Sequence, residues 1–202
     1  CQILMFNQLK VKKILVSQPK PLSENSPYFD IIEKFGVKID FRPFIKVEPV
    51  PTKEFKEQKV SILNYSAIVF TSRNGIDHFF RICGDLRITV PEKTKYFCQS
   101  EQIALYLQKF IHYRKRKVFF PETGKLPDLL NIVGKNPDEN FLVVLPEQYN
   151  EDIVKQLDAK QVKYRITWMY RTVSNDFQEG EKFDYDMLVF FSPAGIESLK
   201  AN

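Results

Sequence analysis

The chain has 202 residues, enough for one large domain or two of about 100 residues each. Its 44% hydrophobic and 14% aromatic content suits packed cores and argues against a disordered chain. The net charge of +5 permits nucleic acid, a membrane surface or an acidic small molecule as partner, and selects none of them.

The cysteines and histidines exclude two classes of site. Cys1, Cys83 and Cys98 form an odd, sparse set without metal-ligand spacing or a disulfide framework, so a reducing, cytoplasmic location is predicted. His78 and His112 are the only histidines, too few for a metal site or a catalytic triad. Since no apolar run approaches transmembrane length, no membrane partner is predicted either.

Strands and helices alternate along the chain, which predicts an α/β fold with parallel sheets. Predicted strands cover residues 12–17, 67–71, 95–98, 117–120, 141–145 and 188–191, with extended segments at 41–50 and 166–173. Predicted helices begin near residues 27, 74, 101, 128 and 152. The first helix has Ser26 as N-cap and ends at Gly36, a residue that tolerates the left-handed conformation.

One strand-turn-helix motif occurs twice. Residues 69–76 read VFTSRNGI, and residues 189–196, 120 positions later, read VFFSPAGI. Each copy is an apolar run that stops at a serine, Ser72 or Ser192, and opens into a helical pattern. The free N–H groups and the dipole of a helix start favour anions. Two copies therefore predict a bilobal protein that grips a polyanion in a cleft.

The turns at the carboxyl ends of the predicted strands form a candidate binding rim, because ligands of open α/β sheets bind there. These turns are short and rich in small polar residues. They are Ser17-Gln18-Pro19, Ser72-Arg73-Asn74, Gln99-Ser100-Glu101, Glu122-Thr123-Gly124-Lys125, Pro146-Glu147-Gln148 and Ser192-Pro193-Ala194.

Five segments in this order resemble uroporphyrinogen-III synthase, a family of heme-pathway enzymes. They read ILVSQP at 14–19, VFTSRNG at 69–75, FFPETG at 119–124, WMYRTV at 168–173 and FFSPAG at 190–195. The resemblance implies two flavodoxin-like, parallel-sheet α/β lobes joined by a two-stranded linker. Lobe one would comprise residues 11–41 plus 174–202, lobe two residues 52–165, and the linker strands residues 42–51 and 166–173.

The resemblance also implies an activity. Family members are carbon–oxygen lyases that close hydroxymethylbilane to uroporphyrinogen III in the cleft between the lobes, inverting ring D through a spiro intermediate and losing water. They use no cofactor and no metal. The partners implied are this small-molecule substrate and, transiently, the upstream bilane-forming enzyme.

Tyr170 is the candidate catalytic residue, since it matches a tyrosine that the family places beside the cleft and its phenol could donate a hydrogen bond to the departing hydroxyl. The alternative is an aromatic side chain packed on a strand. The candidate substrate-binding residues are Ser72, Arg73, Asn74, Gln99, Ser100, Glu122, Thr123, Gly124, Lys125, Pro146, Glu147, Ser192, Pro193 and Ala194. Ser72 and Ser192 could equally be helix caps alone, and Arg73 and Lys125 could be solvated surface cations.

Two features depart from the family pattern. Residues 96–101 read YFCQSE where the family shows a glycine and a threonine, and the βα unit that follows the first serine motif has no counterpart after Ser192. The repeat therefore predicts further residues beyond Asn202.

Two other functions stay open: a non-catalytic cytosolic two-lobed protein that binds an anion or a tetrapyrrole, and nucleic-acid binding through the basic run 114–117. That run lacks an aromatic platform, so a solvated loop is favoured and no nucleic acid is predicted.

Overall fold

The computed structural model describes residues 11–21, 26–175 and 181–190. The strands in these ranges are β1 (Lys13–Val16), β2 (Lys38–Phe41), β3 (Ile45–Pro49), β4 (Ala67–Phe70), β5 (Lys95–Cys98), β6 (Val118–Phe119), β7 (Asn140–Leu145), β8 (Lys163–Trp168), β9 (Tyr170–Ser174) and β10 (Met187–Val189). The helices are α1 (Pro27–Phe35), α2 (Thr52–Glu57), α3 (Arg73–Asp85), α4 (Glu101–Tyr106), α5 (Leu126–Gly134) and α6 (Asp152–Ala159).

The chain divides into two compact units. Unit 1 comprises Cys1–Lys46 and Val173–Asn202, and unit 2 comprises Val47–Thr172. Within the described part of the chain, no helix combines the length and the apolar character needed to cross a membrane.

Unit 1 contains a parallel sheet in which β2 and β10 flank β1. Its core includes Ile14, Val16 and Val37. Helix α1 ends as predicted, because Gly36 adopts a left-handed conformation with φ of 62° and donates its N–H to the carbonyl of Ile32.

Unit 2 contains a five-stranded parallel sheet in the order β6-β5-β4-β7-β8. All four residues of the central strand β4 are buried, which explains its continuous apolar sequence. One apolar cluster, built around Phe70 and Phe79, includes α3, and a second, built around Phe97 and Leu129, includes α5 and α6. The sequence correctly predicts the strands β4 to β7 and the helices α3 to α6.

The strand order of unit 2, for which the sequence makes no prediction, is not that of flavodoxin. Numbered by appearance within the unit, the sheet runs 3-2-1-4-5, whereas the flavodoxin order is 2-1-3-4-5. After β5 the chain continues outward to β6 and only then crosses to the far side of β4 to form β7. Both orders have the same alternation of strands and helices in sequence, so the alternation alone does not distinguish them.

The predicted linker segment 166–173 covers parts of two strands. Residues 166–168 belong to β8, whose pairing with β7 continues until Trp168 lies opposite Leu145. Only β9 pairs with β3, in a separate two-stranded sheet. The segment between Tyr164 and Val173 contains neither glycine nor proline, so its sequence does not mark where one strand ends and the next begins.

Candidate functional site

The candidate site lies in unit 2, at the carboxyl ends of β4 and β7. These neighbouring strands are where the direction of the strand order reverses: β5 and β6 follow β4 on one side, and β7 and β8 lie on the other. The turns that leave β4 and β7 therefore diverge, and open α/β sheets bind ligands in the crevice between such turns. Ser72 lies in the first of these turns, and Pro146 in the second.

Ser72 begins α3 as its N-cap. Its Oγ accepts a hydrogen bond from the N–H of Gly75 at 3.1 Å, as the sequence predicts. The helix start also lies close to β7, since a β-carbon placed on Gly75 would be 3.5 Å from Val144 Cγ1. The N–H groups of Arg73 and Asn74 belong to the same first turn and have no acceptor within the helix.

Tyr170, the first residue of β9, places its hydroxyl oxygen 2.8 Å from Ser72 Oγ. Its side chain is 4% exposed. Burial raises the pKa of this phenol, and the hydrogen bond with Ser72 offsets only part of that rise, so the hydroxyl keeps its proton at neutral pH. The candidate catalytic residue is therefore a protonated, buried hydrogen-bonding group at the start of α3.

The backbone of Tyr170 is attached to the turn that follows β7. Its carbonyl accepts the N–H of Glu147 at 3.0 Å. The next residue, Arg171, donates from Nε to Glu147 Oε2 at 2.6 Å and also forms an ion pair with Glu54. The structure thus places Glu147 in contacts that hold β9 beside β7.

Gln99, Ser100 and Gly124 form a second group, at the ends of β5 and β6. Gln99 Nε2 donates to the carbonyl of Gly124 at 3.2 Å, and Ser100 Oγ accepts the N–H of Ile103 at 3.3 Å, which caps α4. Gly124 has φ of 68°, a conformation that a residue with a β-carbon adopts at a cost. The N–H of Gln99 donates to the carbonyl of Phe70, which places this group next to the turn of β4.

The other predicted binding residues are more dispersed. The Arg73 guanidinium lies over the ring of Tyr106, 5.5 Å from its centroid. Thr123 bonds Asp128 and accepts the N–H of Lys125. Asn74, Glu122 and Lys125 are exposed, and Pro146 is half-buried. Ser192, Pro193 and Ala194 lie outside the described residues, so the second copy of the serine motif is seen only through β10 and Phe190.

Two residues next to Tyr170 are missing from the sequence prediction. His78 stacks on the Tyr170 ring, and Arg81 donates to the carbonyls of Val50 and Met169 at 2.8 and 3.0 Å. His78 and Arg81 follow Ser72 closely enough to lie on the helix that Ser72 begins, which is the signal available in sequence. In the described ranges, no group of three or more His, Cys, Asp or Glu side chains is arranged to hold a metal ion.

The basic run 114–117 lies on a different part of unit 2. Arg114 pairs with Glu92 at 3.2 Å, and Lys117 donates to the backbone carbonyl of the same residue. Lys115–Lys117 forms a short 3-10 turn in which Lys115 and Arg116 are exposed. Two of these four cations are therefore engaged within the protein.

Residues 26–202 match the family model described as uroporphyrinogen-III synthase HemD. No curated protein sequence gives a significant match.

Three solved structures of uroporphyrinogen-III synthases resemble this one. A mutant enzyme from Thermus thermophilus is 14% identical to this chain, with a TM-score of 0.58. The match covers 81% of this chain and 64% of the mutant enzyme. The Helicobacter pylori protein is 12% identical, with a TM-score of 0.58 and coverage of 94% and 78%. The wild-type Thermus thermophilus enzyme is 14% identical, with a TM-score of 0.52 and coverage of 81% and 63%. The chain thus spans just under two thirds of the Thermus enzymes, and at these identities the likeness shows the fold.

Proposed function

The chain belongs to the uroporphyrinogen-III synthase family, and from this premise we propose that the protein converts hydroxymethylbilane to uroporphyrinogen III, with inversion of ring D and loss of water. It is then a carbon–oxygen lyase. The observation that carries the proposal is the hydrogen-bonded pair of Tyr170 and Ser72 at the carboxyl end of β4. The pair brings a proton donor to a helix start that attracts carboxylates.

Tyr170 acts on the leaving group. The pyrrole nitrogen supplies the electron pair that breaks the carbon–oxygen bond of the hydroxymethyl group, which leaves an azafulvene. The phenol proton passes to the departing oxygen, which leaves as water, and the pyrrole N–H gives up its proton, so that the phenol is protonated again. Ser72 supports this role because its hydroxyl can donate to the phenol oxygen while its Oγ accepts the N–H of Gly75. The phenol proton is then free for the substrate. Positioned donors of this kind contribute about 10²- to 10⁴-fold.

Ring inversion depends mainly on how the flexible bilane is held, since the unassisted closure does not invert ring D. The substrate carries many carboxylates, which suit backbone N–H donors at helix starts. Arg73 and Asn74 supply such donors in the first turn of α3. Gln99, Ser100, Glu122, Thr123, Gly124, Lys125 and Pro146 complete the proposed binding rim of unit 2, and Ser192, Pro193 and Ala194 form its counterpart in the second motif.

Glu147 enters the proposal in a changed role. Its carboxylate bonds Arg171 and its N–H bonds Tyr170, which supports a role in placing the tyrosine. A carboxylate also repels substrate carboxylates, so direct binding of the bilane through this side chain is disfavoured.

The family's organisation into two lobes is part of the proposal. Lobe one comprises residues 11–41 with 174–202, and lobe two residues 52–165, with the linker strands narrowed to β3 and β9. The division of contacts near residues 46 and 172 supports it. A cytoplasmic location and a transient contact with the upstream bilane-forming enzyme accompany the activity. Limited proteolysis that releases a resistant fragment beginning near residue 52 and ending after β8 would support two separate lobes, since a cut at residue 165 would fall within that strand.

Incubation with enzymatically generated hydroxymethylbilane tests the activity. The protein is used as its complete natural gene product, and after oxidation the isomers I and III are separated. We expect isomer III to exceed the level formed in buffer, where closure gives isomer I. If the folded protein yields isomer I alone, the synthase assignment fails. Calorimetric binding of uroporphyrinogen by such an inactive protein would then identify a non-catalytic tetrapyrrole-binding protein.

A further inference from the structure

His78 lies on the same helix as Ser72 and contacts the same tyrosine. The imidazole and the Tyr170 ring are stacked, with centroids 5.7 Å apart and planes inclined by 18°. Ser72 holds the hydroxyl end of Tyr170, and His78 supports one face of its ring. Two side chains of α3 therefore fix both the position of the phenol oxygen and the plane in which its proton can point.

Arg81 sets the tautomer of the neutral His78 ring. Its Nε–H donates to His78 Nδ1 at 3.1 Å. An arginine is always protonated and cannot accept a hydrogen bond, so Nδ1 must present a lone pair and the neutral ring carries its proton on Nε2. The same guanidinium donates to the carbonyl of Met169, the residue before Tyr170. Arg81 thus links the imidazole to the strand that carries the tyrosine.

We propose that His78 is a positioning residue for Tyr170. As a neutral imidazole held by Arg81, His78 keeps the phenol at the angle that presents its hydroxyl beside Ser72. The proposal deepens the synthase function and rests on it for the catalytic consequence. The geometry itself does not depend on the substrate. In the sequence, His78 is an isolated histidine, which indicates neither a metal site nor a catalytic triad.

Protonation of His78 at acidic pH would remove the support that this residue gives to Tyr170. Protonation would place an N–H on Nδ1, facing the Arg81 donor, and the hydrogen bond between them would be lost. Burial and the charge of Arg81 lower the pKa of His78 from its ordinary value of 6.5, against the opposing effect of Asp77. The other ionisable groups nearby are the Tyr170 phenol, Tyr106, which donates to Asp77, and Asp85, which lies 3.9 Å from Arg81.

The lowered pKa of His78 determines how its contribution to the stability of the protein depends on pH. Because the pKa of His78 is lower in the folded state, the unfolded chain takes up the proton first as the pH falls. The contribution of His78 to stability is therefore fully present above its unfolded pKa and is lost as the pH falls through the folded one. We expect the acid limb of stability to flatten in His78→Phe, a variant that keeps an aromatic ring but has no proton to gain.

Carbon-13 NMR of the tyrosine ring carbons tests the contact without substrate. Tyr170 is assigned by the signal that Tyr170→Phe removes, and the pH is varied between about 8 and 5, the range in which histidine titrates. We expect the Tyr170 signal to shift with a midpoint below that of a free histidine, and the shift to disappear in His78→Phe. His112→Ala, which removes the other histidine, is the matched control and keeps the shift. A Tyr170 signal that stays constant while His78 titrates overturns the proposal.

A double-mutant cycle tests the catalytic consequence. His78→Ala should lower kcat roughly tenfold, below the full effect of a positioned donor, with little change in KM, and His78→Phe should restore most of the loss. In a Tyr170→Phe background, His78→Ala should have no further effect, because its action passes through the phenol. Equal losses in both backgrounds contradict the proposal. If the wild-type protein forms no isomer III, the synthase function fails, while the NMR titration still decides whether His78 positions Tyr170.

Discussion

The hydroxyl of Tyr170 and the side-chain oxygen of Ser72 are 2.8 Å apart, although the residues are 98 positions apart in the chain. This contact joins the start of β9 to the N-terminus of α3. Because Ser72 also accepts the N–H of Gly75, one serine caps a helix and holds the candidate catalytic group. The two alternatives for Ser72, a helix cap or a residue of the site, are therefore compatible.

Tyr170→Phe should lower kcat by about 10²-fold, at the low end for a positioned proton donor, because the electron-rich pyrrole already activates the leaving hydroxyl. Folding and product affinity should change little, since the ring keeps its contact with His78. Initial rates of isomer III formation and product binding measure this. Tyr164→Phe is the control: it removes a hydroxyl that bonds Asp158 in the same unit and should leave kcat unchanged. Near-normal turnover of Tyr170→Phe would make Tyr170 a packing residue.

Ser72→Ala should cost both stability and turnover. Losing the cap of α3 should lower the free energy of unfolding by about 1 kcal/mol, and losing the partner of Tyr170 should lower kcat. Ser100→Ala is the matched control for the lost cap, because it removes the N-cap of α4 without removing a contact with a tyrosine. Urea denaturation and steady-state kinetics of both variants separate the roles. If Ser100→Ala lowers kcat as much as Ser72→Ala, the contact with Tyr170 has no special kinetic importance.

Much of the fold is predictable because local patterns determine it. The apolar strand β4, the cap at Ser72 and the left-handed Gly36 each depend on a few neighbouring residues, and all three predictions are confirmed. The resemblance to the family is likewise confirmed by the family match. Five short segments in order are sufficient for this recognition, although the similar solved structures are only 12–14% identical to the chain.

What sequence does not provide depends on contacts between distant residues. The strand order of unit 2 follows from which side of β4 the later strands occupy, and no local pattern encodes that choice. The ion pairs of Arg171 with Glu54 and Glu147 join three separate elements. These contacts are the basis for the proposed role of Glu147 in anchoring β9.

Glu147→Gln tests that changed role. The variant loses one of the two carboxylates that hold Arg171, while Glu54 remains, so the free energy of unfolding should fall by less than about 1 kcal/mol. KM for the bilane should not rise, because the substrate's carboxylates cannot accept hydrogen bonds from a carboxylate. Glu151→Gln, an exposed glutamate before α6, is the control for the loss of one negative charge. A several-fold rise in KM for Glu147→Gln alone would indicate direct binding of the substrate.

Cys83 and Cys98 should be unreactive in the folded protein. Burial raises the pKa of each thiol to about 12, so almost no thiolate forms near pH 8, and the side chains are 2% and 0% exposed. In the 202-residue chain, a Cys1→Ser variant leaves these two thiols. A colorimetric thiol reagent should then label none of them in buffer and both in denaturant. Labelling without unfolding would contradict the burial of this part of the core.

Gly124→Ala should destabilise the protein through the backbone alone. With φ of 68°, a β-carbon at this position costs about 1–2 kcal/mol, whereas the space is open: the nearest atom to such a β-carbon is Ser100 Cβ, at 3.8 Å. Gly124→Asn should recover part of the loss, because asparagine tolerates the left-handed region. Gly84→Ala is a control in which alanine should stabilise the protein. Gly84 lies in α3 and its β-carbon would have no neighbour within 4 Å, so the free energy of unfolding should rise by up to about 1 kcal/mol.

Urea denaturation midpoints of the three glycine variants measure these differences, provided that the dependence on urea concentration stays the same. If Gly124→Ala and Gly124→Asn are equally unstable, crowding in the folded state, and not the left-handed backbone, determines the cost. Isomer III formation adds a kinetic readout. The carbonyl of Gly124 accepts from Gln99, so a relaxed turn would displace Gln99 and should raise KM for the bilane. An unchanged KM in a destabilised Gly124→Ala variant would remove Gln99 and Gly124 from the binding rim.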